Sequence, residues 1–174
     1  EDDLHMLRSY SFVAIGGEGG TFEMHALVQL AMRQWLRVNG QLERLAGQYI
    51  RAPCFAFPVG EHENWSKCEA LFPHAKSALV VQPKEDVALR EWASLLYEAA
   101  WYAWRKGNVA DAETMAIASM KVRRRVLGKR HEETLSSIEM VGLAYNLSGQ
   151  WKEAEELEVQ VMETSVRVLG KEHP

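Results

Sequence analysis

Little in this chain points to covalent or redox chemistry. Its 174 residues contain two cysteines, Cys54 and Cys68. That is too few for a disulfide framework, so a reducing compartment is the simpler expectation. Neither cysteine has the sequence companions of a nucleophile, and both are read as buried, inert thiols. No apolar run approaches the roughly 20 residues that a membrane helix needs. The acidic start EDDLHMLRSY lacks the basic end and apolar core of a signal peptide. A soluble, cytoplasmic protein without a membrane partner is expected.

A basic excess is missing too: 20 Lys and Arg stand against 24 Asp and Glu, a net charge of −4. Nucleic-acid binding usually rests on a basic surplus or a basic face, so no nucleic-acid partner is expected. No G-x-x-x-x-G-K-[ST] phosphate loop occurs. GGEGG at 16–20 has the glycines without the lysine or the strand-to-helix setting, and reads as a hairpin turn. The six histidines are scattered, and none pairs with another or with cysteine at ligand spacing. His62 and Cys68, six positions apart, suit one ion poorly. No metal and no catalytic residue are assigned, and the chain is read as a non-enzyme.

The chain has instead a repeat. Gly128 and Gly170, in VLGKRHEET and VLGKEHP, lie 42 positions apart (170 − 128). The same offset carries Gly107 onto Gly149, Ala112 onto Ala154, and Glu113 onto Glu155. Each unit reads as a helical hairpin. Leu135, Ile138, Val141 and Tyr145 mark one apolar helical face. Ser148-Gly149 ends that helix, and a second carries Ala154, Leu157, Val161 and Met162 toward Gly170. The preceding unit repeats the plan with Leu95, Leu96, Ala99, Ala100 and Ala103, a turn at Gly107, then Val109, Ala112, Met115, Ala116, Met120 and Val126. Asn108 is placed to cap the second helix of that unit. Ala100, Gly142, Ala112 and Ala154 are small enough to let paired helices approach to about 8–10 Å. A large side chain there, as in Ala154→Leu, is expected to destabilise the hairpin.

These units resemble the 42-residue tetratricopeptide repeats of kinesin light chains, whose linker reads much like LG-x-x-HP-x-TL. Leu127, Gly128, His131, Thr134 and Leu135 match the pattern, with Glu132 where the proline usually stands. Leu169, Gly170, His173 and Pro174 match as far as the chain goes. The resemblance implies a mostly α fold, an α-solenoid over residues 85–174. Its repeats are expected at 85–127 and 128–170, with a third starting at 171. The missing initial methionine and the stop within a linker phrase lead to the expectation of a piece of a longer protein.

Earlier in the chain, SFVAI (11–15) and TFEM (21–24) read as two short strands joined by a glycine turn. The tail of a helix precedes them. HALVQLAMRQWLRV follows, with Leu27, Leu30, Ala31, Trp35 and Val38 on one face. Helix, hairpin and helix is how a winged-helix domain ends, here over residues 1–39. MHALVQ (24–29) is similar to the Met-His-Asp-type motif in the winged helix of NB-ARC signalling NTPases, the NOD-like receptors, which fungal members write as MH-x-LVQ. The resemblance implies that His25 contacts a bound ADP phosphate in the intact parent and helps hold the inactive state. ADP or ATP would then belong to the longer parent, with no cofactor in this stretch. The alternative is that His25 caps the helix behind it.

Residues 40–84 are expected to be a helical linker. An amphipathic helix at 41–52 is followed by a turn at Pro58 and Gly60. A further helix carries Trp65, Cys68, Leu71, Phe72 and Ala75, and Pro73 should kink or divide it. FPVGEHENWSKCEALFPHA resembles the segment between winged helix and repeats in fungal NB-ARC–tetratricopeptide proteins.

Two surface features stay open. The run KVRRR (121–125) either meets an acidic partner or is a solvated helix end whose charges complement the dipole. The aromatic belt of EWASLLYEAAWYAW is too wide for one hairpin core. Its excess rings either pack on preceding helices or line a partner groove. Trp101, Tyr102, Arg123, Arg124 and Tyr145 are the protein-interaction candidates. The whole reads as a protein-interaction and sensor module of a signalling NTPase, binding a protein or peptide ligand and self-associating through an open repeat end. Alternatives are a free-standing scaffold or cargo adaptor like kinesin light chain, or a winged-helix transcription regulator, which the acidic charge disfavours.

Overall fold

The computed structural model describes residues 2–15, 22–42, 44–45, 51, 53–54 and 56–169. The chain divides into two compact units, residues 1–45 and 46–174.

In the first unit α1 (Asp2–Ser9) leads to β1 (Val13–Ile15), β2 (Phe22–Met24) and α2 (Ala26–Val38). The strands pair antiparallel in the register Val13 to Met24 and Ile15 to Phe22. The helix–hairpin–helix order follows the sequence pattern, while the GGEGG turn lies outside the described residues. The chain enters α2 through His25, whose Nδ1 accepts a hydrogen bond from the Leu27 amide at 3.2 Å. That bond satisfies one of the orphan amides of the first turn.

The second unit opens with a 3₁₀ turn (His62–Asn64). It continues through α3 (Trp65–Ala78), α4 (Asp86–Arg105), α5 (Val109–Val126), α6 (Glu132–Ser148) and α7 (Trp151–Leu169). The helix expected over 41–52 falls largely outside the described residues.

α4 packs on α5, α5 on α6 and α6 on α7, so consecutive helices form antiparallel hairpins in one stack. The turns within the two hairpins are built alike. Gly107 and Gly149 adopt left-handed φ of 72° and 80°, the conformation glycine reaches without a Cβ clash. Asn108 N–H donates to Ala103 O, and Gln150 N–H to Tyr145 O, at 2.8 and 2.9 Å. Each is the six-to-one bond of a Schellman closure. Asn108 also caps α5 as expected, its Oδ1 accepting from the Asp111 amide at 3.4 Å.

The core follows the apolar spacing. Leu89, Leu95, Leu96, Ala99, Ala100, Ala112, Met115, Ala116, Ala144 and Ala154 are each at most 1% exposed. At Gly142 an added Cβ would stand 3.8 Å from Ala154 O and 4.0 Å from Leu157 Cβ. The small residues Ala100, Ala112, Gly142 and Ala154 are all buried, as the hairpin reading expects.

One expectation is narrowed and one is corrected. Of the two outcomes expected at Pro73, a kink or a division, the structure rules out the second, since α3 runs on through it. The carbonyl it leaves unbonded is that of Glu69, and both residues are exposed, so water can take the place of the missing donor. Met162 is 60% exposed rather than packed on the hairpin face, and Val159 and Val166 beside it are each 44% exposed.

α3 joins the stack ahead of α4. It packs along α4, and Lys76 reaches Asp111 of α5 at 2.9 Å. Part of the segment expected as a helical linker is thus a helix packed on the first hairpin.

Candidate functional site

α4 also packs directly on α6, while no comparable contact joins α5 to α7 among the described residues. The first helices of the hairpins thus lie on the inside of the stack. On α4 the inward stripe left uncovered by neighbouring helices is Arg90, Ser94, Tyr97, Trp101 and Arg105. On α6 it is Glu132, Ser136, Glu139, Leu143 and Leu147, each 42 positions on. Tyr97, Trp101 and Leu143 are half-buried and Leu147 is 41% exposed, so apolar side chains share the stripe with charged ones.

The aromatic belt divides between two tasks. Trp92 and Tyr102 point away from the hairpin and seal it against α3, as one of the two readings had it. The Trp92 indole donates to Ala78 O at 2.8 Å. Tyr102, 4% exposed, sits edge-on between Phe57 and Phe72, with centroids at 6.5 and 5.3 Å. Gly60 makes this junction possible, because an added Cβ would meet Tyr102 N at 3.0 Å and Tyr102 Cα at 3.1 Å. Tyr102 is a junction residue buried inside the unit, not on the surface as an interaction candidate would be. Trp101 stays half-buried on the inner face, edge-on to Trp104 at 5.3 Å.

Arg123 departs from the solvated reading of KVRRR. It is 6% exposed and ties three helices together. Its Nη1 donates to Glu133 O at 3.1 Å and to Ser137 Oγ at 3.0 Å. Its Nη2 donates to Ser94 Oγ at 3.2 Å and pairs with the Glu133 carboxylate at 3.4 Å. Its Nε finds no partner among the described residues. Burial pulls the guanidinium below its ordinary pKa, and the charges of Glu133, Tyr97 and Glu98 push back. The hydroxyls of Ser119 and Ser137, 3.2 Å apart, complete the node, with Ser119 donating to Ala93 O at 2.7 Å. Buried Arg123 is therefore unavailable as a partner contact, whereas Arg124 beside it is exposed. The local signal for this node was two serines on otherwise apolar helix faces.

Two further recesses involve named residues. Tyr145 lines a groove of about 270 Å³ with Met120, Val141, Glu153, Leu157 and Gln160. A pocket of about 200 Å³ opens between residues 59–61 and α4, bounded by Tyr97, Glu98, Trp101 and Arg105. Tyr97, Glu98 and Arg105 were not singled out from the sequence, because their significance depends on that earlier loop folding back onto α4.

The thiols of Cys54 and Cys68 are both pushed up by burial. Cys54 is only half-buried, and its thiol donates to Glu91 O at 3.3 Å. Among the described residues no three His, Cys, Asp or Glu side chains converge as a metal site, and no helix is long and apolar enough to cross a membrane.

Residues 93–165 match the family model described as tetratricopeptide repeat. The chain is similar to a nucleotide-binding leucine-rich repeat (NLR)-like protein of Hyaloscypha variabilis, at 30% identity over 132 residues. That match covers 76% of this chain and 13% of the relative's length. No solved structure gives a significant match.

Proposed function

From a chain whose residues 93–165 are tetratricopeptide repeats and which resembles part of an NLR-like protein, we propose a non-catalytic protein-interaction module that serves as the sensor arm of a signalling NTPase. An extended peptide segment of a partner lies along the inner face of α4 and α6. The observation that carries this reading is the paired stripe on those helices. It keeps Tyr97, Trp101, Leu143 and Leu147 in reach of solvent among charged residues of the same stripe. Stacked hairpins offer such a face as a continuous binding surface.

The nucleotide side of the proposal rests on His25 and on the relative's printed name. Because Nδ1 accepts the Leu27 amide, a neutral His25 carries its proton on Nε2. His25 is exposed, so that N–H is free to donate to a phosphate oxygen. Capping and phosphate contact are then compatible roles for the two ring nitrogens.

Selection of a randomised phage-displayed peptide library on the purified chain tests the first part. Enriched peptides should lose binding on Leu143→Glu and keep it on Lys121→Glu, on the second helix of the hairpin. Failure to enrich any peptide counts against the reading. Titration of ADP into the longer parent tests the second part, with His25→Ala expected to weaken binding and unchanged affinity counting against it.

A further inference from the structure

We infer that the recess between residues 59–61 and α4 is a subsite for a basic side chain, lysine or arginine, of the peptide laid along the inner face. This rests on the peptide-binding reading above and names the chemistry of one partner position.

The walls are residues 59–61 with Tyr97, Glu98, Trp101 and Arg105, enclosing about 200 Å³. Two carboxylates and two aromatic rings surround a space that suits one long side chain. Rings offer their negative faces to cations, and a carboxylate beside them adds charge.

The rings here already attract cations. Arg123 lies 4.7 Å from the Tyr97 centroid, and Arg105 lies 5.9 Å from that of Trp101. Nearby, Lys106 sits 4.8 Å over Trp65. Arg123 is buried and fixed in its node, so it cannot leave. Arg105 is exposed on the last turn of α4 and is free to swing away. Its guanidinium is thus the resident occupant of a cation position, which an incoming lysine or arginine displaces.

Glu98 gives the subsite its sign. Burial raises its carboxyl pKa, and the Arg123 charge only partly offsets that. A second cation brought into the recess supplies the compensation that the fold leaves incomplete.

The opposite reading takes Arg105 as an anchor for an acidic peptide, and the two differ in the sign of one substitution. The probe is a peptide enriched from the randomised library on the intact chain. Under the inference, enriched peptides share a lysine or arginine, and its replacement by norleucine weakens binding by about tenfold. Glu98→Gln removes that discrimination, and Arg105→Ala tightens binding because the resident cation is gone. Circular dichroism of both variants checks that the helices persist. A shared acidic residue whose contribution is lost on Arg105→Ala overturns the inference and leaves peptide binding intact. So does a shared basic residue whose contribution is indifferent to Glu98→Gln. A library that enriches nothing overturns the peptide-binding reading and this one together.

Discussion

The guanidinium of Arg123 lies 4.7 Å from the ring centroid of Tyr97, so a buried cation of α5 supports an aromatic side chain on the inner face of α4. Through Glu133, Ser137 and Ser94 the same group joins both hairpins. The inner face and the inter-repeat core are one connected structure at this point.

Removing one partner of such a buried node leaves the other charge and its hydrogen-bond groups unpaired. Arg123→Ala should cost about 3–5 kcal/mol of unfolding free energy. Arg124→Ala, at an exposed neighbour, should stay within about 0.5 kcal/mol. Urea unfolding of the two variants, side by side, measures the difference, and equal effects would contradict the burial of Arg123.

Two glycines should respond in opposite directions to alanine. Gly60→Ala puts a methyl 3.0 Å from the Tyr102 amide nitrogen, where backbone cannot easily yield. A loss of about 1–3 kcal/mol is expected. At Gly142 the nearest atoms are 3.7–4.0 Å away, an ordinary contact distance. Gly142→Ala should therefore gain up to about 1 kcal/mol from helix propensity. Thermal melts of both variants decide it.

The raised carboxyl of Glu98 makes stability depend on pH. Between the unfolded and the folded pKa the native state binds more protons, so stability contributed here falls as pH rises through that window. Glu98→Gln should raise the melting temperature at pH 7, and the gain should shrink as pH falls below the unfolded carboxylate value of about 4.5. An equal gain at both ends would place the effect elsewhere.

α7 leaves Trp151 68% and Met162 60% exposed, with Val159 and Val166 on neighbouring turns. On α5 the residues 42 positions earlier than Val159 and Met162 are Ile117 and Met120, which are half-buried against the core. A second copy of the chain is expected to cover the α7 face. Sedimentation equilibrium should show mass rising with concentration, and Met162→Lys should suppress the rise. A strict monomer at high concentration would mean that α7 closes the stack by itself.

What was legible in the sequence was local. Gly107, Gly149, Asn108 and the alanine crossings carry their reasons within a few residues, so the hairpins followed from spacing. The helix cap at His25 was one of two readings, and the geometry shows that it does not exclude the other. The fate of Arg123 was hidden because it depends on Ser94, Ser137 and Glu133, which come from two other helices. The role of Gly60 was hidden likewise, since Tyr102 lies 42 positions on and the contact is with its backbone. Whether Pro73 divides α3 could not be read locally, because its cost depends on whether water can reach the carbonyl of Glu69.

Binding of partners along the inner face of α4 and α6 is tested most directly by titrating a library-selected peptide into isotope-labelled chain and following amide and indole shifts by NMR. Perturbations should concentrate at Tyr97, Trp101, Glu139, Leu143 and Leu147. Shifts confined to Lys121 and Arg125 of α5 and Lys152 and Glu156 of α7 would contradict it.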